Sequence, residues 1–231
     1  MAVVAALVGS CASSASAQTN RSSAPPDLAG VYQSIPSGIT LRGGFKNSGS
    51  PSEISLLPKA VAEAKKINPK DDPLRMCQPI GPFRMMAREG VTFELAPATG
   101  VFAILHGNSE LGVIRIVYLN RGHVPHVVDG PEPGQEPGPT WLGDSIGHWD
   151  GGTLVVDTVG FNTRTWLNDA GAQHSESMHL VEKIRPLLGG HYLEYRVTAE
   201  DPDTLAKPYT YTRYFKKLDT ELVDDICVDE P

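Results

Sequence analysis

The chain has 231 residues, 40% of them hydrophobic, with 20 Lys and Arg against 27 Asp and Glu and a formal net charge of −7. That length buries a substantial core and suits one all-β domain, because barrels and sandwiches reach roughly 200 to 250 residues as single units. The acidic balance and the lack of any basic cluster argue against a nucleic-acid partner.

The chain starts MAVVAALVGSCASSASAQ. Ala2–Val8 is a short apolar core, and Ala15-Ser16-Ala17 before Gln18 reads as an A-x-A cleavage site. Residues 1–17 are therefore expected to be a signal peptide, although a basic n-region is missing. The apolar run is too short to span a bilayer. The alternative is a lipoprotein signal, since Val8-Gly9-Ser10-Cys11 resembles a lipobox and would put a lipid anchor on Cys11. Either way the expected location is periplasmic or secreted. Export leaves Cys77 and Cys227 as an even pair in an oxidising compartment. A disulfide between them would close a loop of about 150 residues, worth on the order of 3 to 5 kcal/mol in the chain-entropy model. Two separate buried thiols are the other possibility.

Residues 18–27 are rich in Ser, Ala and Pro and read as a flexible lead-in to a single domain over 28–231. Leu28–Ser34 fits a first strand, and 35–51 a Gly- and Ser-rich loop. Leu57–Lys66 is the one convincing helix, with Ala, Glu and Lys dominant and Pro58 in its first turn. Asp71–Pro82 is irregular. From Val91 onward strands follow at short spacing: 91–95, 101–106, 113–120, 145–149, 153–161, 177–185, 192–198, 209–218 and 221–228. Turn signals such as Gly189-Gly190 and Asp201-Pro202-Asp203 join many of them. No helix-length crossover separates most of the strands. The expected fold class is thus all-β, an antiparallel meander of about eight or nine strands closing into a barrel that can hold one small ligand. A sandwich is the alternative. Two longer loops, His123–Thr140 and Asn162–His174, flank the central strands and suit lids or binding loops.

Those central strands read DSIGHWDGGTLVVDTVGFN over 144–162. Asp-Gly between two strand-like runs predicts a tight hairpin. With Asp150-Gly151 as the turn, Trp149 pairs with Gly152, His148 with Thr153, Ile146 with Val155 and Asp144 with Asp157. Side chains alternate along a strand, so Ile146, His148, Thr153, Val155 and Asp157 share one face, which resembles a pocket wall. Ser145, Gly147, Trp149, Leu154 and Val156 share the other.

His148 and Asp157 are the candidate catalytic pair, since an imidazole and a tuned carboxylate across a pocket suit acid–base work. The rival reading is a structural His and an Asp paired to a neighbouring Arg. Arg115 and Tyr118 lie on opposite faces of one strand, so only one points inward. A buried Arg115 would answer a carboxylate of ligand or protein, and Tyr118 would donate to an oxygen. Trp149, Phe161, Asn162 and Trp166, with Trp141, offer contacts to a flat aromatic ligand, against simple core packing. His174, Glu176, His179 and Glu182 match no recognised metal pattern. His123 and His126 with His148 would give a three-His metal site, on spacing alone. Gly143-Asp144-Ser145 echoes a lipase box but lacks the strand-to-helix elbow that box needs. No phosphate loop or dinucleotide fingerprint is present, so no organic cofactor is expected.

The run GDSIGHWDGGTLVVDTVGFNTRTW, followed by HSESMHLVEKIR and EDPDT-x-x-KPY, resembles a large, mostly uncharacterised family of exported bacterial proteins. In that family an Arg-x-Ile-Tyr strand precedes a His-Pro turn, and a Gly-x-Ser-Ile-Gly-His-Trp-x-Gly-Asp-Thr-Leu-Val-Val hairpin follows. A Cys lies near the C-terminus. This chain carries Arg115-Ile116-Val117-Tyr118 and Arg121-Gly122-His123-Val124-Pro125. It departs at Gly152, where the family has Asp, and its loop before Thr140 is longer and richer in Pro. The resemblance runs from about Met76 to the end. It implies a lipocalin-like barrel and a cell-envelope location, and no particular chemistry.

The expected function is a cell-envelope enzyme acting on a hydrophobic, aromatic small molecule by cofactor-independent acid–base chemistry, of lyase, isomerase or dehydratase type, inside the barrel. A non-catalytic ligand carrier and a His-ligated metal hydrolase are the alternatives.

Overall fold

The computed structural model describes residues 24–107, 113–124 and 138–223. The expected signal peptide, Cys11, His126 and Cys227 lie outside the described residues, as does all but Glu221–Val223 of the last expected strand. The pairing of Cys77 with Cys227 therefore also falls outside them.

Nine strands close into a barrel in sequence order. They are β1 (Gly30–Ser34), β2 (Thr92–Ala98), β3 (Val101–Gly107), β4 (Ile114–Tyr118), β5 (Asp144–Asp150), β6 (Thr153–Val159), β7 (His179–Leu187), β8 (Tyr192–Glu200) and β9 (Tyr209–Leu218). β1 completes the ring by pairing antiparallel with both β2 and β9. Closure pairs every strand with a neighbour on both sides, the β4–β5 seam being the shortest.

One pair departs from the expected antiparallel meander. β4 and β5 run parallel, with Val117 opposite Ser145 and Tyr118 opposite Ile146. A parallel pair needs more chain between its strands than a hairpin turn provides, and 25 residues, 119–143, separate β4 from β5.

Strict alternation in the long strands builds the core. Leu193, Tyr195, Val197 and Ala199 of β8 point inward, beside Leu180 and Ile184 of β7 and Leu154 and Val156 of β6, all fully buried. Phe93 meets Phe215 edge-on at 4.9 Å and Tyr195 at 6.1 Å between ring centroids, a preferred aromatic geometry. These side chains pack the part of the lumen where a ligand was expected.

Helix α1 (Pro58–Ala64) lies within the expected Leu57–Lys66 and is shorter at both ends. Helix α2 (Pro82–Met85) was not foreseen, because four residues carry no readable period. All four of its residues are buried. Phe83 packs edge-on against Tyr211 at 5.3 Å, and the Tyr211 hydroxyl donates to the Phe83 carbonyl.

The central hairpin turns one residue later than expected. Asp150 pairs with Thr153, so Gly151-Gly152 is the turn, and His148 faces Val155 while Ile146 faces Asp157. Gly151 takes the positive φ of 55° that such a turn requires. Sliding the turn by one residue moves each cross-strand partner by two. Side-chain parity survives, and the two predicted faces are the observed ones. Their direction is the surprise. Ser145, Gly147, Leu154, Val156 and Thr158 are buried within the barrel. Ile146, His148 and Asp157 lie on the outer face, so the face that resembled a pocket wall does not line the lumen.

Candidate functional site

Arg115 points inward and is satisfied by protein groups. Its Nη1 donates to Glu182 Oε1 at 2.9 Å, and Nη2 donates to Glu182 Oε2 and, at 2.6 Å, to Thr158 Oγ1. Its Nε donates to Ser145 Oγ at 2.9 Å, and the Tyr195 hydroxyl donates to Glu182 Oε1 at 2.7 Å. Arg115 thus answers a protein carboxylate, the structural alternative weighed for it, rather than binding a ligand in the lumen. Burial, with Glu182 beside it, pushes the Tyr195 phenol well up. His106 lies in the same interior and is 2% exposed. Its Nδ1 has no partner among the described residues, and burial together with the positive charge of Arg115 pulls its pKa down to about 3.

Several expected ligand contacts belong to the core. Phe161 and Trp166 are 1% and 3% exposed, because the loop after β6 folds back onto the barrel. Trp149 packs against the core from its rim. The Asn162 side chain accepts the Arg164 amide proton at 3.1 Å, capping a turn. His174 sits between the Thr165 hydroxyl at 2.6 Å and the Ser175 carbonyl at 2.9 Å. Burial lowers its pKa, as suits a neutral structural imidazole.

The polar chemistry gathers on the outer face, across the start of β5, the middle of β6 and the start of β7. Asp144, Asp157 and His179 all project outward there, and the segment after β4 lays Arg121 and His123 over them. Arg121 grips both oxygens of Asp144. His123 Nδ1 lies 3.0 Å from Asp144 Oδ2, and its Nε2 lies 2.9 Å from Asp157 Oδ1. His179 Nε2 lies 3.0 Å from Asp157 Oδ2. The backbone amide of Val124 donates to Asp144 Oδ2 at 3.1 Å. The result is a continuous chain, Asp144–His123–Asp157–His179. It runs from a nearly buried carboxylate, 8% exposed in its side chain, to a half-exposed imidazole at 36%. Both contacts of His123 are hydrogen bonds only when the ring carries two protons, since a neutral imidazole donates from one nitrogen.

Burial pushes the Asp144 carboxyl up, but the hydrogen bonds from Arg121, His123 and Val124 outweigh it and hold its pKa below the ordinary value. Asp157 follows the same pattern, with His123 and His179 as the opposing donors. Both carboxylates are therefore ionised near neutrality.

A groove of about 420 Å3 adjoins the Asp144 end. Ile114, Ile116 and Tyr118 of β4 form one wall; Trp141, Leu142 and Thr140 form the other. Arg121 stacks on the Tyr118 ring, 3.9 Å from guanidinium carbon to ring centroid. The first wall arises because inward Arg115 and Val117 force their neighbours on β4 outward. Three exposed apolar side chains on one strand (Ile114 at 58%, Ile116 at 37% and Tyr118 at 38%) are an apolar patch with polar groups at its edge, the usual make-up of a binding site.

Comparison of the sequence with known proteins finds no matching family model and no matching curated relative. The reading of this site therefore rests on its geometry.

Of the expected site residues, Tyr118 lines the groove and Asp157 lies in the hydrogen-bonded chain. His148 is on the same outer face but exposed and outside the hydrogen-bonded chain. Of the three-His metal alternative, His126 lies outside the described residues and both nitrogens of His123 face carboxylates. Among the described residues no group of three His, Cys, Asp or Glu is arranged to hold a metal ion. Asp144 and Arg121 were missed as site residues. The signal present was Arg121-x-His123 directly after a strand, with two outward acids, Asp144 and Asp157, on the next hairpin.

Proposed function

We propose that this protein is a small-molecule enzyme of lyase or isomerase type, using cofactor-independent acid–base chemistry on a hydrophobic, aromatic substrate. The observation that carries this reading is the Asp144–His123–Asp157–His179 chain, whose first carboxylate opens onto an apolar, aromatic-walled groove. The reading moves the expected chemistry from the lumen to the outer face and passes the role first given to His148 to His123.

In this proposal the groove holds a flat substrate against Ile114, Ile116, Tyr118 and Trp141 by area burial and stacking. Arg121 and Tyr118 hold an oxygen of the substrate, where negative charge develops as a neighbouring C–H bond breaks. Asp144 takes the proton. With His123 neutral and its one proton on Nε2 toward Asp157, Nδ1 takes the substrate's proton from Asp144 across the 3.0 Å contact, and the ring returns it at another position of the substrate. Asp157 is a positioning residue: it fixes the His123 ring from behind and links it to half-exposed His179, through which protons exchange with water. A cell-envelope location, resting on the A-x-A site before Gln18, and a Cys77–Cys227 disulfide belong to the same proposal.

A non-catalytic carrier using the same groove is the second reading, favoured by the complete pairing of Asp144. Deuterium incorporation separates the two. In D2O the proposal expects the protein to accelerate exchange of the acidic C–H of 2-tetralone, a hydrophobic aromatic ketone. His123→Gln and Asp144→Asn should each reduce that acceleration by about 10²–10⁴-fold. Binding without exchange would establish the carrier, and exchange untouched by both replacements would overturn the proposed roles.

A further inference from the structure

We infer that the cleft at the β7–β8 turn is a second binding site, for a small anionic amphiphile with a carboxylate head and an apolar body. It lies at the far end of β7 from the relay. His179 starts that nine-residue strand and Leu187 ends it, which at about 3.3 Å per residue separates the two by roughly 26 Å. The inference does not depend on the acid–base reading.

The cleft encloses about 640 Å3 and is lined by Arg42, Leu188, His191, Tyr192, Lys216 and Lys217. Three cations and an imidazole thus converge in a chain whose net charge is −7, and no carboxylate is in the lining. Lys217 is held from below: its ammonium donates to the Ala29 carbonyl at 2.6 Å and lies 5.8 Å from the centroid of the Tyr32 ring. Arg42 and Lys216 have no ion-pair partner among the described residues. Like charges gathered without a counter-charge repel one another, and they create a positive potential that an anion relieves.

The second observation is the turn itself. Leu188 has φ of 50°, one of two non-glycine residues with positive φ among those described. Its side chain is 39% exposed. A left-handed leucine is strained, because its Cβ crowds the following carbonyl oxygen. Glycine would remove that strain, and Gly189 and Gly190 beside it do take positive φ. The leucine nevertheless stands there, and it lines the cleft together with the cations. Leu188 and the Tyr192 ring supply the surface for an apolar body, and Arg42 and Lys216 the head-group contacts. A volume of this size is ordinary for a small-molecule site.

The test is isothermal titration of the full chain with decanoate and, separately, with decanol, which has the same chain length and no charge. The inference expects decanoate to bind measurably and decanol at least about tenfold more weakly. Arg42→Glu and Lys216→Glu should each weaken decanoate at least about tenfold, with raised salt weakening it further. Leu188→Gly keeps the fold honest. It should leave the melting temperature equal or higher, because strain is removed, and still reduce decanoate affinity. Equal binding of both probes, no decanoate binding, or decanoate affinity unchanged in the charge-reversed variants would each overturn the inference.

Discussion

His123 Nε2 and Asp157 Oδ1 stand 2.9 Å apart although they are 34 residues apart in the chain. One belongs to the segment leaving β4 and the other to the middle of β6. They meet because the end of β4 lies beside the start of β5, with Val117 opposite Ser145 and Tyr118 opposite Ile146. Everything proposed for the outer site depends on that adjacency.

Replacing Asp157 with Asn should uncouple the two imidazoles while leaving the fold in place, since Asp157 is half-exposed and on the outer face. The 2-tetralone exchange activity should then drop by at least about tenfold. Because the Asp157 and Asp144 carboxyls are held below their ordinary value, their contribution to stability is complete above about pH 4 and is lost as pH falls through the lower folded values. In Asp157→Asn the acid limb of the stability curve should be shallower. An identical acid limb in parent and variant would contradict the pairing.

His106 acts in a different pH window. Its pKa falls from 6.5 unfolded to about 3 folded, so between those values the unfolded chain binds a proton that the native state refuses. Stability therefore rises with pH across that range, with a slope of up to about 1.4 kcal/mol per unit. Between pH 4.5 and 6.5, where the contribution of the two depressed carboxylates no longer changes with pH, His106→Leu should flatten the dependence seen in urea unfolding. An unchanged slope would mean His106 is not buried as a neutral ring.

The Arg115–Glu182 pair should be costly to break and cheap to replace. Arg115→Met leaves Glu182 charged and unpaired at 0% exposure, which costs about 3–5 kcal/mol. Arg115→Met combined with Glu182→Leu should recover most of that loss in denaturant unfolding, because both desolvation penalties vanish together. A double variant as unstable as the single one would show that Tyr195, Ser145 and Thr158 depend on the ions.

Gly143 sets the position of Asp144. It has φ of 71°, and a Cβ there would come within 2.6 Å of Thr158 Cγ2 and 2.8 Å of the Val159 carbonyl oxygen. Gly143→Ala should destabilise the chain by roughly 2–4 kcal/mol from strain and overpacking, and should shift Asp144 out of line with His123. By contrast a Cβ on Gly152 meets nothing within 4 Å, so Gly152→Ala should change the melting temperature by no more than a few degrees.

The barrel was legible in the sequence because its strands are short, regularly spaced and punctuated by turn residues, and closure is the common way to protect so many edges. The hairpin faces were legible because parity survives a one-residue error in the turn. Direction was not. His148 and Asp157 drew attention to their face as a pocket, whereas Gly147, Leu154 and Val156 opposite them are the more apolar set and take the core. Phe161 and Trp166 looked like a binding surface for the same reason that makes them good core residues, their size. The relay was out of reach for a different reason. Asp144, His123, Asp157 and His179 come from four segments, and the pairing of β4 with β5 that lays His123 over the other three is encoded in no local pattern.

The most direct test of the outer site is a methyl and imidazole NMR titration of the protein with 2-tetralone. The account predicts that the Ile114 and Ile116 methyls, the Trp141 indole and the His123 ring shift together along one binding curve, while the buried Ile104 and Ile184 methyls stay fixed. Movement of Ile104 and Ile184 with Ile114, Ile116 and His123 unmoved would place the ligand in the lumen and contradict it.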